Sequence, residues 1–94
     1  MLFYVNISVD VPHGSDPEKI KKLRAEEALR SKELLLAGKW PHVWRVVGKW
    51  ANVSIFDVDS PTELHEILSS LPLFPYMKIE VTALCEMRPA LAAK

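Results

Sequence analysis

LFYVNISVDVPHGSDP, residues 2–17, carries two structural signals in succession. Phe3, Val5, Ile7 and Val9 alternate with Tyr4, Asn6, Ser8 and Asp10, the period-2 pattern of a strand with one buried face. Pro12, Gly14 and Ser15 break the alternation, and Asp16-Pro17 reads as an acidic N-cap followed by proline at the first helical position. The spacing predicts a helix from about residue 17 to about residue 37, with Gly38 as its stop.

The rest of the chain extends this strand and helix. The segments Trp40 to Val47 and Trp50 to Val58 are rich in β-branched and aromatic residues, and Gly48-Lys49 lies between them, a hairpin signal. Asp59-Ser60-Pro61 opens a second helix carrying Leu64, Ile67 and Leu68, which ends before Pro72. Pro72 to Pro75 must form a shaped connection. Alternation then returns from Tyr76 to Leu84, with Met77, Ile79, Val81 and Ala83 on one face. The tail after Pro89 shows no pattern.

The order is therefore βαββαβ. This is the α+β, ferredoxin-like sandwich, a four-stranded antiparallel sheet with two helices on one face. The other sheet face is left uncovered. Trp40, Trp44, Val46, Val53 and Ile55 are expected there in addition to a helix-facing set, so that face is expected to pack on another subunit.

Composition narrows the functional classes. The chain has 94 residues, enough for one domain over residues 1–94 with one core. Twelve basic residues balance twelve acidic ones, so no net field favours nucleic acid or an anionic membrane. The N-terminus lacks the pattern of a secretory signal, and no apolar run approaches a membrane span. Cys85 is the single cysteine, which excludes an internal disulfide and fits a reducing, cytoplasmic compartment. At the end of the last strand it is expected to be a buried structural thiol. His13, His42 and His65 share no metal-binding spacing, and Gly14, Gly38 and Gly48 form no phosphate-binding fingerprint.

Two places could carry chemistry. Ile20, Glu27 and Leu34 lie seven apart, almost on one line down the first helix, with Leu23 on the same side. A carboxylate in a sheet-facing stripe is costly unless paired or used, and burial would raise its pKa towards a value useful for a base. The alternative is a rotated stripe, with Glu27 paired at the surface to Arg24, Arg30 or Lys32. If Gly48-Lys49 forms a two-residue turn, Val47 faces Trp50 and Arg45 faces Asn52, all four on one side of the sheet. Arginine suits a carboxylate, asparagine a carbonyl or oxyanion, and tryptophan an apolar wall. The alternative there is structural, with Arg45 paired to an acid such as Glu80 and Asn52 satisfying backbone at a bulge. His42 falls on the face opposite Arg45.

The chain also resembles the muconolactone Δ-isomerases. The residues that carry the likeness are the opening MLF-V, the DP at Asp16-Pro17, the Glu27 region, W-H-WR from Trp40 to Arg45, G--AN-S-FDV from Gly48 to Val58, the LH of the second helix, and LPLFPYM-IEV from Leu71 to Val81. The resemblance spans nearly the whole chain. It implies a ferredoxin-like protomer in a ring-like homo-oligomer, commonly a decamer, that converts muconolactone into 3-oxoadipate enol-lactone without a cofactor in the catechol branch of the β-ketoadipate pathway. It also implies that Glu27 is the acid/base and that Asn52 and Trp50 line the pocket. That family commonly has tyrosine where this chain has Trp50, and histidine where it has Tyr4, which is carried over as a further substrate-binding position. Two other readings remain: isomerisation or dehalogenation of a methyl- or chloro-substituted lactone, and a non-catalytic ligand-binding module of the same fold.

Overall fold

The computed structural model describes residues 1–87. The elements follow in the order β1 (Leu2–Val9), α1 (Pro17–Leu36), β2 (His42–Arg45), β3 (Ala51–Asp57), α2 (Pro61–Ser69), a 3₁₀ turn (Phe74–Tyr76) and β4 (Met77–Leu84). This is the α+β arrangement expected from the alternation and the helix signals. The tail after Pro89 lies outside the described residues.

Each helix is closed by the chemistry its flanking residues offer. Asp16 accepts from the Glu18 N–H at 3.1 Å, and Pro17 follows at the first position. The C-terminus of α1 closes with Lys39 N–H donating to Leu34 O at 3.0 Å and Gly38 N–H to Leu35 O at 3.1 Å, a pairing that needs the positive φ of 76° found at Gly38. For α2, Ser60 accepts from Glu63 N–H at 3.0 Å, and the Glu63 carboxylate accepts from Asp59 N–H at 2.7 Å. Glu63 also pairs with Lys39 at 2.9 Å, tying α2 to the segment that leaves α1.

The sheet order is β2-β3-β1-β4, and every neighbouring pair is antiparallel. One row crosses the sheet as Arg45, Asn52, Ile7 and Ile79; the next as Val43, Ser54, Val5 and Val81. These rows share the face covered by the helices. Phe3, Val5, Ile7 and Phe56 from that face join Leu34 of α1 and Leu64, Ile67 and Leu68 of α2 in one buried cluster, and removing this apolar area from water is the main stabilising contribution.

The hairpin keeps the expected register with a different turn. Val46 N–H donates to Ala51 O at 3.0 Å, and Lys49 N–H donates to Val46 O at 3.2 Å. Gly48, with φ of 79°, supplies the left-handed residue of that turn. Four residues therefore lie beyond the last ladder bond instead of two, and an even change preserves both pairing and face. Val47 does not share the pocket side with Arg45: it sits at the turn, 95% exposed.

Two expectations about packing are corrected. Trp40 does not lie on the uncovered face; it is 4% exposed and stacks on Phe56 with ring centroids 4.7 Å apart. It precedes β2, so strand alternation does not govern its direction. Cys85 is not a buried thiol but exposed: it follows the end of β4, an edge strand whose last residues are themselves exposed. Trp44 does lie on the uncovered face, 57% exposed and stacked on His42, in register with Val53.

Candidate active site

A cavity of about 400 Å³ opens between α1 and the helix-facing side of the sheet. Ile7 and Val9 of β1, with Met77 of β4, make its apolar floor. Glu27, Ser31 and Lys32 reach it from α1, while Arg45, Trp50 and Asn52 reach it from the hairpin. Four of the five sequence-predicted site residues are thus brought together. Tyr4 is the exception and is corrected: its register partners are Ile55 and Thr82, so it projects from the opposite, uncovered face and does not line this cavity.

Glu27 is half-buried, and none of Arg24, Arg30 or Lys32 forms an ion pair with it. Its Oε1 accepts from the Leu73 backbone N–H at 3.0 Å. The Pro72–Pro75 connection makes that donor available. Phe74 N–H bonds to Leu71 O and Tyr76 N–H to Leu73 O, both at 2.9 Å; these two tight turns leave the intervening Leu73 N–H for a side chain. Leu71 and Leu73 anchor the connection, each 2% exposed. Burial pushes the Glu27 carboxyl above its ordinary pKa, and the bond from Leu73 pulls more weakly the other way. The result is a carboxylate more basic than a solvated one and fixed in direction by a backbone donor.

Arg45 and Asn52 are direct register partners. Arg45 is exposed at the cavity mouth, where its only described bond is a long one of 3.4 Å to Lys49 O. Glu80 projects from the opposite sheet face, in the row of Asn6, so it is no partner for Arg45. The Asn52 Oδ1 accepts from the Ser54 hydroxyl at 2.6 Å. The Trp50 ring forms one wall and carries the Arg24 guanidinium 4.8 Å from its centroid, within the range of a cation–π contact.

Sequence reasoning missed Leu73, Ser54 and Lys32. Nothing local marks a backbone N–H in a proline-rich connection as a partner for a residue 46 positions away. Ser54 had a legible signal, since it shares strand parity with Asn52. Lys32 lies on α1 beside the cavity and adds a second cation to its rim. The arrangement offers one raised-pKa carboxylate, an amide, an indole wall and two cations around an apolar floor. It suits a small anionic substrate that loses and regains a proton. Among the described residues, no group of three His, Cys, Asp or Glu side chains could hold a metal ion.

Comparison with known proteins bears on this chemistry. The family model described as muconolactone delta-isomerase matches residues 1–89. The chain is 54% identical over 85 residues to muconolactone Delta-isomerase 1 of Acinetobacter lwoffii, covering 90% of this chain and 88% of that one. It is 52% identical over 83 residues to the muconolactone Delta-isomerase of Rhodococcus opacus, covering 88% and 89%. The crystal structure of a muconolactone isomerase superposes with a TM-score of 0.89 at 46% identity, over 95% of this chain and 93% of the other.

Proposed function

The chain belongs to the muconolactone delta-isomerase family, and we propose that it performs that isomerisation in the cavity between α1 and the sheet, with Glu27 carrying the proton. The reaction turns muconolactone into 3-oxoadipate enol-lactone. The observation that carries the site assignment is a half-buried carboxylate with a raised pKa, with no ion-pair partner among the described residues, facing a largely apolar cavity.

The chemistry balances within one substrate molecule. The γ-hydrogen of the unsaturated lactone is acidified through conjugation with the ring carbonyl. Glu27 takes it as a proton, and the C–H electron pair moves into the ring to give a dienolate whose charge rests largely on the carbonyl oxygen. The same carboxyl returns the proton to the α-carbon, and the double bond ends between the β- and γ-carbons. No electrons leave the substrate, so the reaction needs no redox partner. The Asn52 amide is the donor for the dienolate oxygen, Trp50 is the apolar wall, and Arg45 holds the acetate arm.

An ultraviolet assay of the purified protein with muconolactone and its methyl and chloro analogues tests the function. Rapid loss of the conjugated-lactone absorbance with muconolactone is expected. No turnover of that substrate alongside turnover of an analogue would move the assignment to a substituted lactone. Arg45→Met is expected to raise KM roughly 10- to 100-fold, matching the 1.5–3 kcal/mol typical of hydrogen bonds to charged groups, with little change in kcat. An unchanged KM in the folded variant would remove Arg45 from substrate binding.

The protein is further proposed to act in the cytoplasm as a single-domain homo-oligomer of about ten subunits, joined in part through the uncovered sheet face. Support comes from the apolar surface that Trp44, Val53 and Ile55 present there and from the short chain. No helix among the described residues is long and apolar enough to cross a membrane. Sedimentation velocity at micromolar concentration is expected to show one large species; a monomer would reject the assembly.

A further inference from the structure

Ser54 is the only fully buried polar residue among the described residues, at 0% exposure. It sits in the middle of β3, with Val43 and Val5 as its register partners on either side. A hydroxyl in such a place is costly unless its proton finds an acceptor. Neighbouring carbonyls belong to the ladders of a central strand flanked on both sides. The described bond of the hydroxyl goes two residues along the strand, to Asn52 Oδ1, at 2.6 Å.

That bond fixes which end of the Asn52 amide faces the cavity. A serine hydroxyl has one proton to donate, whereas the amide offers an acceptor at oxygen and two donors at nitrogen. Reversing the amide would set its NH₂ against Ser54 and leave the buried hydroxyl proton with no acceptor. The orientation with Oδ1 on Ser54 is therefore the one that satisfies both groups. The Nδ2 donors then have no described protein acceptor. They are not sealed in either, since Trp40 Nε1 is the only buried side-chain nitrogen or oxygen without a partner among the described residues. Asn52 lines the cavity, and with Oδ1 held by Ser54 the Nδ2 end is the one left to face it.

We propose that Ser54 is a positioning residue for the isomerisation: its hydroxyl holds Asn52 Oδ1 so that the Nδ2–H donors are presented to the substrate carbonyl as negative charge develops there. The proposal rests on the reading of Asn52 as the dienolate donor. Ser54 touches no substrate atom. Its contribution is preorganisation, because an amide already aimed before the charge forms needs no reorientation in the transition state. Without it, the amide rotates between two orientations, one of which turns an oxygen towards the developing oxyanion.

The test is a double-mutant cycle of Ser54→Ala and Asn52→Ala, with Ser54→Cys as a second variant that keeps the volume and a weak donor. Ser54→Ala is expected to lower kcat on the order of tenfold, the scale of one orienting hydrogen bond, with KM nearly unchanged. Ser54→Cys should fall between it and the parent. In the Asn52→Ala background, Ser54→Ala is expected to lower kcat no further, because its only route to the reaction is gone. An equal loss in both backgrounds would overturn the proposal by showing that Ser54 acts through general packing. If Asn52→Ala is impaired and Ser54→Ala is not, the positioning role alone falls. If Asn52→Ala keeps full kcat, the donor assignment falls and takes the positioning role with it.

Discussion

Replacing Glu27 by glutamine is expected to lower kcat by roughly 10²- to 10⁴-fold, the usual scale for losing a general acid–base group, with little change in KM. Glutamine keeps the shape and can still accept from the Leu73 N–H that fixes the carboxylate at 3.0 Å, so the variant removes the base and little else. Because one carboxyl takes and returns the proton, part of a γ-label on the substrate should reappear at the α-carbon when turnover outpaces exchange with water. Substantial activity in folded Glu27→Gln would exclude this residue.

The same variant carries a stability signature with a definite sign. The folded-state pKa of Glu27 is raised, chiefly by burial, so between the unfolded and folded values the native state binds more protons than the unfolded chain. Its contribution is fully present below the unfolded value and is lost as pH rises through the folded one. Above the folded value the ionised, half-buried carboxylate therefore destabilises the fold. Glu27→Gln should melt higher than the parent at neutral pH, and the gain should shrink in acid. The acid limb of kcat/KM should likewise lie above the pKa of a solvated glutamate. Thermal melts across pH check the first statement, and initial rates check the second.

The second large effect is expected at Asn52. Removing a donor from an oxyanion site costs about 10²- to 10³-fold in kcat where measured in other enzymes, and Asn52→Ala should fall in that range. The loss should appear mainly in kcat, since the oxygen gains its negative charge only after proton abstraction. Stability should drop as well, because Ser54, 0% exposed, loses the acceptor of its 2.6 Å bond, at a cost of about 1–3 kcal/mol. Adding Ser54→Ala should recover that stability without recovering activity. A kcat for Asn52→Ala within a few-fold of the parent would remove the amide from the mechanism.

Much of this molecule is legible along the chain, wherever a local rule acts. Alternation in residues 2–10 fixes which face of β1 is buried, because strand side chains change sides with every residue. Asp16-Pro17, Ser60-Pro61 and Gly38 end their helices for reasons confined to the adjoining turn. Arg45 and Asn52 meet because an antiparallel hairpin pairs residues by counting outward from its turn, and that count survives a turn two residues longer than expected. The placement of Glu27 beside the cavity follows from helical spacing. Tyr4 shows the limit of resemblance against parity, since its own alternation sets it opposite Phe3 and Val5 and away from the cavity.

Only the tertiary structure decided the rest, because it depends on which groups meet across long separations. Leu73 reaches Glu27 when the connection after α2 folds over α1, and no periodicity encodes that approach. Trp40 turns inward onto Phe56 because it precedes the strand whose alternation would have sent it elsewhere. Cys85 is exposed because it follows an edge strand whose last residues are left uncovered, so burial there is set by the strand's place in the sheet. The same holds for the electrostatics of the site. A glutamate is recognisable in sequence, but its raised pKa comes from the apolar surroundings that packing assembles around it.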